Sequence, residues 1–230
     1  MNAAGFRGGL AAGLGRASTV ASLAFAGGLL VFVALVAVAE KHAGLFGAAD
    51  RALEGKVFGA ILPLALFSVS ARVFERTRLD AAAHPLARFG ASRRAVGLGL
   101  IVASMLVCAL LSAVVAASTA IVAHDPSAPP RAVDALTSAW IGGITGAAYA
   151  ALFAFGSTFG ARGGGRYWAL FADFIMGSTG GFAALLVPRA HAQNLLGGAP
   201  PLLLGQPVSF GCLVFLAVAW SALSLARTFP

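Results

Sequence analysis

The sequence predicts an all-α, polytopic membrane protein, and three observations predict it. Apolar residues make up 59% of the 230 positions and charged residues only 10%, against about 45–50% and about 25% in an ordinary soluble chain. Sixteen basic and eight acidic side chains are too few to cover a soluble surface of this size. Long uncharged stretches recur between those charges, each near the roughly 20 residues needed to cross about 30 Å of hydrocarbon. The mean hydropathy of +0.89 also excludes a disordered chain, because unfolded segments are poor in apolar residues and rich in charge.

The gaps between charged residues define the elements in order. Arg16 to Glu40 encloses 23 uncharged residues and predicts a first span over 17–39. Before it, 1–16 reads as a cytoplasmic or interfacial elbow. Arg7 and Arg16 ahead of an apolar run imitate a secretory signal, but such apolar cores run to about 7–15 residues, so the run is read as a retained span. Lys56 to Arg72 encloses 15 residues, enough for a second span over 57–74 if the Arg72 stem reaches to the interface. Arg94 to Asp125 encloses 30 and Asp134 to Arg162 encloses 27, giving spans over 95–122 and 136–160. Arg166 to Arg189 encloses 22 positions, one of them Asp173, and predicts a fifth span over 167–187. The last gap, 37 residues from Arg189 to Arg227, is divided by Pro200, Pro201 and Pro207. A sixth span is expected over 208–226, preceded by a re-entrant or interfacial segment over 193–206. The whole chain, 1–230, reads as a single transmembrane domain.

Basic residues set the orientation, because short loops rich in Lys and Arg stay inside. Arg7, Arg16, Arg72, Arg76, Arg78, Arg88, Arg93, Arg94, Arg162, Arg166 and Arg227 fall on one side. Lys41, Arg51, Lys56, Arg131 and Arg189 fall on the other. Both termini are therefore expected in the cytoplasm, with Tyr167 and Trp168 as an interfacial anchor on that side. The expected location is a bacterial cytoplasmic (inner) membrane, with lipids as the surrounding partner and no nucleic acid.

Small residues recur at four-residue spacing at Gly142, Gly146, Ala150 and Ala154, and again at Gly177 and Gly181. In lipid such a stripe lets a neighbouring backbone approach closely. Packing within the chain and dimerisation both use that geometry.

Few residues offer chemistry. Asp173 is the one acid inside a span, and ionisable groups at that depth are functional candidates; the competing expectation is a structural pair with Arg72 or Arg162. His42, His84, His124 and His191 all fall in loops or at span ends, so Ser178 has no embedded base, and no metal-ligand spacing occurs. Cys108 and Cys212 lie in apolar runs and read as small buried hydrophobes. The glycine-rich Gly160–Arg166 stretch lacks the Lys-Ser/Thr ending of a phosphate loop. The chain reads as a non-enzyme.

The second-to-third connection is richer. Leu79, Ala82, Ala83 and Leu86 fall at helical spacing, and Pro85 should end or bend that helix. A short charged helix off the membrane suits a cytoplasmic partner; a positive loop against lipid headgroups suits the same charges. At these residues the chain resembles a permease subunit of the ATP-binding-cassette transporters, in the type-2 exporter class. The similarity rests on Glu75-Arg76, the short helix, and the Pro85…Ser92-Arg93-Arg94 stretch, with six residues between Pro85 and Ser92 where the family's proline stands closer. The resemblance implies a homo- or heterodimer with a second permease subunit, and a separate ATPase subunit that binds ATP and Mg, with no cofactor on this chain. It also implies that Glu75, Arg76, Leu79 and Asp80 contact the ATPase, and that Asn2–Arg16 forms the elbow. A proton- or ion-coupled secondary transporter using Asp173 and a non-transporting membrane scaffold remain as alternatives.

Overall fold

The computed structural model describes residues 3–43, 47–88, 90–125 and 129–229. Asn2 of the expected elbow and Phe89 of the second connection lie outside them. All regular structure among the described residues is helical. Five helices are long and apolar enough to cross a membrane, which suggests a multi-pass membrane protein.

Helix α1 (Ala3–Ala17) is followed by α2 (Val20–His42). Thr19 starts α2, its hydroxyl oxygen accepting from the Ser22 amide at 3.3 Å, which satisfies one of the free N–H groups at a helix start. Helix α3 (Ala48–Val73) begins well before the expected 57. Two of the charges that seemed to bar the earlier start are paired: Glu40 receives Arg51 at 3.2 Å and Lys56 at 2.6 Å. Over Arg51–Ile61 the winding is π-type, and it tightens to α at Leu62–Val73. Pro63, which has no N–H to give the preceding turn, sits where the winding changes.

Helix α4 (Leu79–Ala87) is the short connection helix; it runs only a few residues beyond Pro85. Ser92 then starts α5 (Arg93–Ala123). Its 31 residues extend about 46 Å at ~1.5 Å each, beyond the ~30 Å of hydrocarbon. The surplus is used at its N-terminal end, where α1 and α4 pack against it. Gly9 of α1 and Gly99 of α5 let these two backbones touch, and a methyl group at either would collide with the other helix.

Helix α6 (Arg131–Gly156) pairs with α5 at the centre of the bundle. Gly142 faces the Ser112 carbonyl and Gly146 that of Cys108, so this small-residue stripe serves packing inside one chain. Dispersion across such a close contact is what holds helices together in lipid. Leu62, Leu66, Phe58, Tyr149 and Phe153 fill the main core beside it.

The expected fifth span is not continuous. Helix α7 (Gly165–Met176) has 12 residues, about 18 Å. Gly177, Ser178, Thr179, Gly180 and Gly181, all weak helix formers, end it. One 3-10 turn (Phe182–Leu186) leads into α8 (Pro188–Leu195). A further 3-10 turn (Pro201–Leu203) precedes α9 (Gln206–Thr228). The expected Gly177–Gly181 packing stripe therefore does not form: Gly177 caps α7 beside Arg189, and Gly181 faces open space. Within 193–206 the chain is the end of α8, packed against α9, and the Pro201–Leu203 turn, packed against α8 and the preceding 3-10 turn.

Candidate functional site

The chain gathers its charge at one end. α1, the α3–α4 connection, the start of α5, the α6–α7 turn and the end of α9 meet there. They carry the eleven arginines grouped above against two acids, Glu75 and Asp80. At the opposite end five basic residues meet five acids: Glu40, Asp50, Glu54, Asp125 and Asp134.

The basic end is built on a sharp corner. After α3, Glu75 and Arg76 adopt φ of 52° and 56°, a left-handed conformation that costs a residue with a Cβ about 1–2 kcal/mol. Several bonds impose it. The Glu75 amide donates to Arg72 O at 2.9 Å, the Arg76 amide to Ala71 O at 2.6 Å, and the Thr77 amide to Phe74 O at 2.9 Å. Arg16 of α1 ties the corner from outside, pairing with Glu75 at 2.9 Å and donating to Val73 O at 3.0 Å.

Helix α4 hangs from that corner by its apolar face. Leu79, Ala82 and Ala83 are 0% exposed and pack with Phe74, Val96 and Leu100. Taking Leu79 out of water would contribute roughly 1.5–3 kcal/mol. Of the four residues that the resemblance assigns to a partner contact, Leu79 thus has no surface to offer; it anchors the helix. Arg76 is exposed, the Glu75 carboxylate is half-exposed and held by Arg16, and Asp80 pairs with Arg78 at 3.2 Å on the outer side.

Asp173 lies elsewhere, on α7, and is 0% exposed. Neither Arg72 nor Arg162 is its partner. The Tyr149 hydroxyl of α6 donates to its Oδ2 at 2.7 Å, and the Arg189 amide at the start of α8 donates to Oδ1 at 3.3 Å. The Arg189 side chain turns instead to the Phe174 ring, 5.2 Å from its centre. One carboxylate therefore joins α6, α7 and α8.

A second buried polar group was not legible in the sequence. The His191 Nε2 faces the Leu185 carbonyl at 3.2 Å, which can only accept, so that nitrogen carries the proton. Its Nδ1 then accepts from the Ser209 hydroxyl at 3.2 Å. Asn194 donates to Ser209 Oγ at 2.7 Å and to Leu204 O at 2.9 Å. Every donor in this chain meets an acceptor, and the set fastens α8 to α9. The one sequence signal was polarity itself: His191 and Asn194 lie with Arg189 and Gln193 in a polar stretch between apolar runs, and Ser209 starts the last of them. No group of three or more His, Cys, Asp or Glu residues gathers among the described residues.

Of the sequence-predicted residues, the structure brings Glu75, Arg76, Leu79 and Asp80 to one corner. It sets Gly142 and Gly146 in the central helix pair, and it places Asp173 and Gly177 together with Arg189. Comparison with protein-family models, curated proteins and solved structures gives no match.

Proposed function

We propose that this chain is the membrane-spanning permease subunit of an ATP-driven exporter, working with a separate ATPase subunit on the cytoplasmic side of a bacterial inner membrane. The observation that carries this reading is the corner at Glu75-Arg76 with α4 beyond it. A short helix is fixed by its apolar face to the extended start of α5, and its other face, with Asp80 and with Arg76 and Arg78 just ahead of the helix, is open at the basic end. Anchored this way, α4 moves with α3 and α5, so a push on its outer face is transmitted to two long helices at once. Positive charge of this density faces the cytoplasm in short-loop membrane proteins. Arg76, Arg78 and Asp80 make the contact, and Leu79 and Glu75 hold the helix in place for it. Substrate passes between two such subunits.

The test is affinity purification of the full chain from its native host, followed by ATP hydrolysis measurements on what is recovered. An ATPase subunit should co-purify, and the pair Arg76→Glu with Asp80→Lys should release it or abolish stimulated hydrolysis. Recovery without any ATPase, or turnover untouched by those two changes, contradicts the proposal.

One observation favours a second reading, an ion-coupled transporter. Transporters of that class place ionisable groups where helices are interrupted at mid-membrane, and α7 breaks four residues beyond Asp173. That reading expects Asp173→Asn to abolish transport while the protein still folds.

A further inference from the structure

A cavity of about 570 Å³ opens between α3 and α7 at the basic end. Four arginines line it: Arg72 and Arg76 from the end of α3 and its corner, and Arg162 and Arg166 from the α6–α7 turn. The two pairs are brought together by a close approach. Gly163, at φ 70°, passes so near the Thr77 carbonyl that a Cβ there would stand 2.7 Å from it. Among the described residues, no carboxylate lines the cavity. Glu75, the nearest acid in sequence, is turned to Arg16 in the adjoining groove.

Arg166 is the informative member. It is only 4% exposed, and its Nε and Nη2 donate to the Gly163 and Arg162 carbonyls at 3.2 and 3.3 Å. Its Nη1 is buried with no hydrogen-bond partner. That nitrogen has no accessible surface, so it adds buried positive charge behind the cavity wall, and the three further arginines lining the cavity add to it. An oxyanion in the cavity offsets that charge. Arginine's planar fork suits phosphate in particular.

A second hollow says which phosphate. On the other face of the Arg72–Phe25 pair, whose guanidinium and ring stand 5.3 Å apart, a groove of about 250 Å³ runs between α2, α3 and α5. Leu30, Val69, Val107 and Leu111 line it. Arg72 and Phe25 belong to both walls. Phe67 and Tyr167, with ring centres 4.9 Å apart, form the apolar rim of the arginine cavity. Cationic pocket and apolar groove thus adjoin, the arrangement an amphiphile needs.

We propose that this four-arginine cavity binds the phosphate of an anionic membrane phospholipid, with an acyl chain lying in the α2–α3–α5 groove. Free phosphate shares the headgroup chemistry but has nothing to place in the groove. The site shares Arg76 with the proposed ATPase contact, but Arg72, Arg162 and Arg166 lie outside that contact, and lipid retention is read on this chain alone, so its fate and that of the permease reading are separable.

The experiment is native mass spectrometry of the full chain released from vesicles containing equal phosphatidylglycerol and phosphatidylcholine. Phosphatidylglycerol should be retained at least about tenfold over phosphatidylcholine, the order expected for two or more arginines beside one phosphate. Arg76→Gln with Arg162→Gln, which spares the buried Arg166, should remove that preference. Arg88→Gln with Arg94→Gln, equal in charge and exposed on the same end away from the cavity, should leave it intact. Equal retention of the two lipids overturns the proposal, as does an equal loss in the Arg88/Arg94 pair, which would report surface charge alone. Displacement of the bound lipid by millimolar inorganic phosphate would also overturn the lipid assignment. Retained preference in the Arg76/Arg162 variant, with its thermal unfolding unchanged, would place the headgroup elsewhere.

Discussion

The corner at Glu75-Arg76 and the broken segment around Asp173 use polar groups in opposite ways. At the corner, charge is turned outward: Glu75 and Arg76 are exposed and Asp80 half-exposed, with Glu75 paired to Arg16 and Asp80 to Arg78. Around Asp173 and His191 the polar atoms are buried and spent on each other, linking α6, α7, α8 and α9. An ionisable residue inside an apolar chain invites a mechanistic role, yet here the exposed charges offer a surface while the buried ones brace a helix break. In a bilayer that bracing is needed, because backbone freed by a break has no water to bond to.

The comparison breaks most visibly if its common scaffold is removed. Gly146→Leu drives a side chain into the Cys108 backbone and should destabilise the bundle by about 3 kcal/mol, read as lost monodisperse protein on size exclusion. Next comes the brace. Asp173→Ala leaves the Tyr149 hydroxyl and the Arg189 amide without an acceptor and should cost about 1–3 kcal/mol, seen as a lower unfolding temperature in detergent. Asp173→Asn keeps an acceptor for Tyr149 and should lose less; an equal loss would mean that the negative charge itself is required. Ser209→Ala removes the donor to His191 and one acceptor for Asn194, with an expected cost of about 1 kcal/mol by the same assay. Smallest in stability is the corner: Arg16→Ala breaks a pair with a half-exposed carboxylate and should change unfolding by under about 1 kcal/mol. Asp80→Lys, which breaks the half-exposed pair with Arg78, should likewise change it by under about 1 kcal/mol, while abolishing partner-dependent ATP hydrolysis. If Asp80→Lys unfolds the protein instead, the contrast between an outward and an inward region fails.

Most helices were legible because their signals are simple. Uncharged runs located α2, α5, α6 and α9 to within a few residues, and the spacing of Leu79, Ala82 and Ala83 located α4. Helices α3, α7 and α8 were not, because a charge count treats every charge as a boundary and every uncharged run as continuous. Glu40 pairs with both Arg51 and Lys56, and α3 starts inside the region the count excluded. Conversely, the run after Arg166 looked long enough to span, and only its Gly177–Gly181 cluster and Pro188 signalled the break. Asp173 was visible as a buried acid, but its partners were not: a tyrosine 24 positions away and a backbone amide carry no charge pattern. Leu79 shows the reverse limit, since resemblance assigned it to a partner and packing assigned it to the core.

Sidedness is the most direct test of the central claim that the arginine-rich end, with α4 on it, faces the cytoplasm. A single cysteine at Arg78→Cys and another at Ala132→Cys, each in a background with Cys108→Ala and Cys212→Ser, can be labelled in intact cells with a membrane-impermeant thiol reagent. Position 132 should react at once, and position 78 only after the membrane is opened. Labelling of position 78 in intact cells would put α4 outside, away from any ATPase, and would contradict the proposed function.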